Sequence, residues 1–256
     1  VAPSNSAAAV FQIRNLTKSY GTKQILNGVS LDILKGESLV VLGRSGSGKS
    51  VMLRQLNGLE KPDSGSVVFD GIDISRLNER QLAPIRRRVA MLFQGGALFD
   101  SLTVGENVAF PLAEHSDLSK AEIRRTASHK LELVGLPGVE DKMPSDLSGG
   151  MRKRAALARS LALDPEVILF DEPTTGLDPV TSASIARLIR TTQQQLHTTS
   201  VVVTHDLAMA REVGDRIGFL TEGSFGFLGT WEEADTSGNR QLSDFLAGRF
   251  EEAEVA

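Results

Sequence analysis

The sequence predicts an α/β fold built on a largely parallel sheet. Three observations carry this. Short, continuously apolar runs at residues 39–42, 89–93, 167–170 and 201–204 read as strands covered on both faces. Helical patterns alternate with these runs, the arrangement that βαβ units produce. Residues 95–161, between the second and third runs, show no strong strand pattern, so they read as a helical insertion.

In chain order, residues 1–9 are small and polar, with neither a positive start nor an apolar stretch. They read as an unstructured leader rather than a signal peptide. From Phe11 and Ile13 to Val29, Leu31 and Ile33 the apolar residues alternate, which predicts antiparallel strands with one wet face. Residues 66–69 and 216–228 read the same way, the latter as a hairpin turning through Glu222-Gly223-Ser224. Helical spacing is plain at Ile123, Ala127, Leu131 and Val134, and again over 151–163. In the tail, Leu242, Phe245 and Leu246 form an apolar helical face in need of a surface, in this chain or another. One domain over 1–256 accounts for all of this. Residues 11–94 and 162–230 make a core with an antiparallel β subdomain, 95–161 a helical subdomain and 231–256 a C-terminal helical extension.

Of 256 residues, 41% are hydrophobic, enough for a sizeable core, and the net charge of -4 gives no basic excess pointing to nucleic acid. Cysteine is absent, which excludes disulfides, thiolate metal sites and a cysteine nucleophile. No apolar run approaches the roughly 20 residues that span a bilayer. Any work at a membrane is therefore expected to go through partners.

After the run 39–42 comes Gly43-Arg44-Ser45-Gly46-Ser47-Gly48-Lys49-Ser50, then a helical pattern through Val51, Leu53 and Leu56. This is a phosphate-binding loop in its required strand–loop–helix setting. The glycines let backbone N–H groups curl inward toward phosphates, and the helix start adds its positive dipole end. Lys49 brings a charge to the phosphates, and the Ser50 hydroxyl can ligate Mg²⁺. The run 167–170 ends in Asp171-Glu172, at the edge of the sheet where α/β folds bind ligands. Asp171 is expected to hold Mg²⁺ through water, and Glu172 to polarise the attacking water as a general base.

These marks, with Leu147-Ser148-Gly149-Gly150-Met151, resemble the ABC transporter ATPase family over residues 11 to about 230. The resemblance implies a phosphate-loop NTPase (RecA-like) core that uses ATP and Mg²⁺. Ser148, Gly149 and Gly150 resemble the family's signature, a second anion site that closes on the nucleotide of a second copy. Met151 stands where the family usually has glutamine, which leaves the serine and glycines in place. Gln94 resembles the glutamine that links Mg²⁺ and water to the transporter contact, and so counts as both a catalytic and a metal residue. Asp178, in Gly176-Leu177-Asp178-Pro179, resembles the loop that crosses the dimer. His205 resembles the switch histidine at the γ-phosphate, and Tyr20 the aromatic residue that stacks on adenine. His115, His129 and His197 read as solvated, and the basic runs 86–88 and 152–154 as exposed faces.

Within the family, Gln94-Gly95-Gly96-Ala97-Leu98-Phe99-Asp100-Ser101 and the text through Leu112 resemble the ATPases of Mla-type, MCE-associated phospholipid transport. That resemblance implies transmembrane permease subunits docking on the 97–99 groove, an MCE substrate-binding protein, and a small accessory protein on the ATPase. It places the chain peripherally at the cytoplasmic face of the inner membrane. The tail helix is expected to pack on the partner ATPase or the accessory protein. An amino-acid or methionine-type importer shares the text near 105–111 but not the 97–99 groove. A ribosome- or DNA-acting relative usually carries two such domains or a long coiled-coil insertion.

Overall fold

The structure, a computed structural model, describes residues 8–249. The leader reading therefore falls almost wholly outside the described residues. The chain opens with β1 (Ala9–Tyr20), β2 (Lys23–Leu34), β3 (Ser38–Leu42) and α1 (Lys49–Leu56). Then come β4 (Ser64–Phe69), β5 (Ile72–Asp73), α2 (Glu79–Arg88) and β6 (Val89–Leu92). Helices α3 (Val104–His115), α4 (Lys120–Leu133) and α5 (Gly149–Ser160) precede β7 (Val167–Asp171), α6 (Pro179–Leu196) and β8 (Thr199–Val203). Helix α7 (Leu207–Val213), the hairpin β9 (Arg216–Thr221) and β10 (Ser224–Gly229), and helices α8 (Trp231–Thr236) and α9 (Arg240–Leu246) follow.

Strands β1, β2, β4 and β5 form an antiparallel sheet in the order β2-β1-β4-β5. The second sheet runs β10-β9-β3-β8-β7-β6 and is parallel except for β10 at its edge. Its strands β3, β7 and β8 are buried at every position, as their unbroken apolar runs require. Alternation divides their side chains between two cores. Leu39, Val41, Leu169, Val201 and Val203 join Phe11, Ile13, Met52 and Leu53 beneath the antiparallel sheet. Val40, Leu42, Ile168, Phe170 and Val202 meet Val108, Leu131, Ala155, Leu157 and Ile185 on the other side. Burying each Val, Leu, Ile or Phe is worth about 1.5–3 kcal/mol against leaving it exposed. The helices of 95–161 thus share their core with the sheet.

Two expectations are corrected, and one alternative left open is narrowed. Residues 216–228 form the expected antiparallel hairpin, with Ser224 paired to Thr221, but not one with a wet face. β9 lies parallel to β3 inside the main sheet with Ile217 to Leu220 buried, and only β10 runs antiparallel. Ile217 and Phe219 pack into the core on one side of the sheet and Leu220 into that on the other, so β9 has no wet face and its apolar run is continuous.

The basic run 86–88 is not simply a solvated face. Arg86 donates to the carbonyls of Asn57 (3.1 Å) and Gly58 (2.9 Å), closing the end of α1. Arg88 bridges Asp70 and Glu166 at 2.5 Å each, and its guanidinium lies 4.7 Å from the Phe69 ring.

The apolar face of the tail helix is taken up within the chain. Leu242 and Phe245 are buried, and the Phe245 ring lies 5.2 Å from that of Phe219 on β9.

Candidate active site

Parallel strands deliver their C-terminal ends to one edge of the sheet, and the predicted chemistry collects there. Val203 of β8 pairs with both Val41 of β3 and Asp171 of β7, so the three strand ends are level. The loop after β3 makes a tight cradle. A Cβ on Gly43 would stand 2.4 Å from the Leu220 carbonyl oxygen. Gly48 has φ +102°, and a Cβ there would stand 2.9 Å from the Ile25 carbonyl oxygen. Only glycine fits either place.

Helix α1 begins directly after Gly48 with no side-chain cap, leaving its first N–H groups for a ligand. Lys49 is buried and donates to the carbonyls of Gly43 (2.8 Å) and Arg44 (3.0 Å). Burial pushes its ammonium below the usual lysine range, while Glu172 and Asp171 oppose that shift. The Ser47 hydroxyl is buried in the loop with no partner among the described residues. An orphan donor, an uncapped helix start and a buried cation together fit a polyphosphate.

The Ser50 hydroxyl donates to Asp171 Oδ1 at 2.7 Å, joining the start of α1 to the end of β7. A hydroxyl and a carboxylate oxygen at this spacing form part of a hard, Mg²⁺-type ligand set. The next residue, Glu172, adopts a left-handed backbone with φ +48°. That turn sends its carboxylate away from Asp171: one oxygen lies 3.8 Å from Lys49 Nζ, the other 2.8 Å from His205 Nδ1. Thr175 Oγ1 approaches the same carboxylate at 3.5 Å. A non-glycine residue held at positive φ is a strained position that its surroundings must enforce.

Lys49, Ser50, Gln94, Glu172 and His205 line one cleft of about 1100 Å³, together with Arg44, Ser45, Gly46 and Gly48. Tyr20 does not line it. Its half-exposed ring sits near Lys18, and its hydroxyl donates to Glu60. Phe245 and Gly248 of the tail do line the cleft, which the sequence reading missed. Nearly 200 residues separate them from the loop, so no local pattern could have placed them there.

Ser148, Gly149, Gly150 and Asp178 form a second surface apart from the cleft. Ser148 caps α5 by accepting from the Met151 N–H (3.3 Å), and Asp178 caps α6 by accepting from Val180 and Thr181 N–H (3.0 Å each). These bonds, led by that from the Thr181 hydroxyl, hold the Asp178 carboxyl below its usual range. The two caps touch: a Cβ on Gly150 would stand 2.6 Å from Thr181 Cγ2, and one on Gly149 3.2 Å from Leu177 Cδ2. Beside them Val180 is 80% exposed, a large apolar group for open solvent. The run 152–154 is corrected as well. Lys153 is buried with its ammonium on the Gln94 carbonyl, and Arg154 donates to Val134 O and Ser184 Oγ at 2.8 Å each. His115, His129 and His197 are exposed, as expected.

Residues 26–175 match the sequence profile of the family described as ABC transporter. The chain is 46% identical over 238 residues to the probable ribonucleotide transport ATP-binding protein mkl of Mycobacterium leprae, covering 93% of this chain and 69% of that protein. It is 41% identical over 239 residues to the intermembrane phospholipid transport system ATP-binding protein MlaF of Haemophilus influenzae, covering 93% of this chain and 90% of that protein. Among solved structures it is similar to a dimeric, post-hydrolysis ATP-binding cassette bound to ADP and Pi. The TM-score is 0.79 at 37% identity, covering 86% of this chain and 98% of that one. The chain belongs to the ABC transporter family as one of its ATP-binding cassettes, an enzyme that hydrolyses ATP with Mg²⁺.

Proposed function

We propose that this chain is one of two head-to-tail cassettes whose ATP hydrolysis drives phospholipid movement between membranes of the cell envelope. The observation that carries the cargo is the likeness to MlaF across 90% of that protein's length. In this reading Lys49 and the N–H groups of the loop hold the β- and γ-phosphates. Ser50, Asp171 and Gln94 hold Mg²⁺, which when bound neutralises charge on the phosphate oxygens. Glu172 orients the attacking water and takes its proton, and His205 keeps that carboxylate aimed while facing the γ-phosphate. Ser148, Gly149 and Gly150 serve the nucleotide of the second copy, and Asp178 lies on the surface where the copies meet. Tyr20 lies outside the lining of the cleft, so adenine stacking on its exposed ring rests on the family resemblance alone.

Transmembrane permease subunits complete the machine, and their docking groove is read from the loop after β6. Phe93, Phe99 and Phe110 remain about two-fifths exposed, and the Phe99 and Phe110 rings meet edge-on at 5.0 Å. No helix among the described residues is long and apolar enough to cross a membrane. In this reading the chain attaches to the cytoplasmic face of the inner membrane through those subunits, with an MCE protein and a small accessory protein as further members. A second reading, ribonucleotide transport, is favoured by the likeness to the probable ribonucleotide transport ATP-binding protein of M. leprae. Isolation of the chain with its membrane partners decides between them. Phospholipid bound to the complex and ATP-dependent lipid transfer between vesicles support the first reading. ATP-dependent nucleotide uptake without lipid transfer overturns it.

A further inference from the structure

The loop after β6 is held by side chains that its nucleotide chemistry does not explain. Gly96 N–H donates to the Phe93 carbonyl (2.8 Å), and the loop then passes through two left-handed residues, Gly96 (φ +77°) and Ala97 (φ +50°). Alanine enters that region only under restraint. The restraint comes from α5. Lys153 donates to the Gln94 carbonyl, while Arg159 donates to the carbonyls of Gly96 (3.0 Å) and Ala97 (2.7 Å). The guanidinium of Arg159 also lies 5.6 Å from the Phe99 ring. The loop sits directly on the helix, since a Cβ on Gly96 would stand 3.3 Å from Ala156 Cβ. Asn107, fully buried on α3, secures the far end by bonds to Phe99, Leu102 and Thr103.

Neither cation has a carboxylate partner among the described residues, although Lys153 is only 7% exposed. Burial lowers the pKa of both. A buried charge satisfied only by neutral carbonyls is a costly way to fix a loop. Apolar packing on α5 would hold the loop more cheaply, but without a directional hold on the carbonyl of Gln94.

We propose that Lys153 and Arg159 are positioning residues for Gln94, locking the loop that carries it to the helix that begins at Ser148. The proposal rests on the reading that Gln94 serves the nucleotide cleft. Any movement of Gln94 then carries α5 with it, and α5 presents Ser148, Gly149 and Gly150 to the second copy. The state of one nucleotide site is thereby passed to the other through three hydrogen bonds.

The test compares Lys153→Met, Lys153→Arg, Arg159→Gln and Gln94→Ala in the full chain, measuring turnover, the ATP concentration at half-saturation and the melting temperature with and without ATP. Lys153→Met is expected to lower turnover about tenfold, the loss of one charge-assisted bond, while half-saturation shifts less than about threefold. Lys153→Arg should restore most of the turnover, and Arg159→Gln should show the same split. The double variant Gln94→Ala/Lys153→Met should be no slower than Gln94→Ala alone, because both act through one group. Wild-type turnover in Lys153→Met, additive effects in the double variant, or turnover and ATP affinity falling together each overturn the proposal. Should Lys153→Met fail to fold, Arg159→Gln bears the test, and failure of both overturns it in favour of a purely structural role. If Gln94→Ala itself keeps wild-type turnover, the reading of Gln94 falls. If that variant is slow and Lys153→Met is not, only the positioning proposal falls.

Discussion

His205 Nδ1 lies 2.8 Å from Glu172 Oε2, although the two residues are 33 positions apart and leave different strands. The left-handed turn at Glu172 creates this contact, because it swings the carboxylate away from Asp171 and out over the phosphate loop. The two acids of one dipeptide thereby receive different neighbours.

Glu172→Gln is the direct check of that division. The amide keeps the shape and can still meet His205, but it cannot take a proton. Turnover is expected to fall by about 10²–10⁴, the usual worth of a general base. ATP binding, followed as the ATP-induced rise in melting temperature, should survive and the closed dimer should accumulate. Turnover within a few-fold of wild type would show that Glu172 is not the base.

Ser50→Ala removes the hydroxyl that bonds Asp171 (2.7 Å) and one proposed Mg²⁺ ligand. The expected result is a raised Mg²⁺ requirement, with turnover recovering partly at high Mg²⁺. Lys49→Ala should behave differently. It removes charge from the phosphate cradle, so the stabilisation by ATP itself should be lost at any Mg²⁺ concentration. A titration of both variants with Mg²⁺ separates the two roles.

A head-to-tail pair makes a prediction that needs two inactive chains. Each nucleotide would take its loop from one copy and Ser148, Gly149 and Gly150 from the other. Mixing Lys49→Ala with Ser148→Arg chains then puts both lesions in one site and leaves the second site intact. Random pairing should restore about a quarter of wild-type turnover if the sites act independently. Any recovery shows that the two surfaces meet across copies, whereas its absence would mean that they act within one chain or that coupling between the sites silences a lone intact one.

Phe245→Ala tests where the tail docks. Its buried ring packs on Phe219 at 5.2 Å and also lines the nucleotide cleft. Truncation should destabilise the chain by about 3 kcal/mol, as expected for a buried phenylalanine. Removing residues after Gly238 should have a similar effect through Phe219. An unchanged melting temperature for both would show that the tail is not seated on its own chain in solution.

Much of this protein is legible without coordinates, and the reason is local. The strands β3, β7 and β8 announce themselves because both faces are buried. The cradle from Gly43 to Ser50 does so because its geometry demands glycine at fixed spacing. Family resemblance supplied the remaining positions, Gln94, Ser148 and His205 among them. Distant packing was not legible. β9 was misread because the layers packed on its two faces decide its burial. Lys153 looked like a solvated lysine until the carbonyl of Gln94 was found on its ammonium. Phe245 gave an apolar face with no indication of what covers it.

The sequence by itself determined the chemistry: a phosphate loop, two acids at a strand end, and a capped helix start with no phosphate of its own. Only the tertiary structure decided which groups those residues face. Glu172 turns to His205 and Lys49, Asp171 to Ser50, and Lys153 to Gln94. Residue type and spacing along a chain fix what a group can do, whereas its partner depends on contacts between segments far apart in sequence.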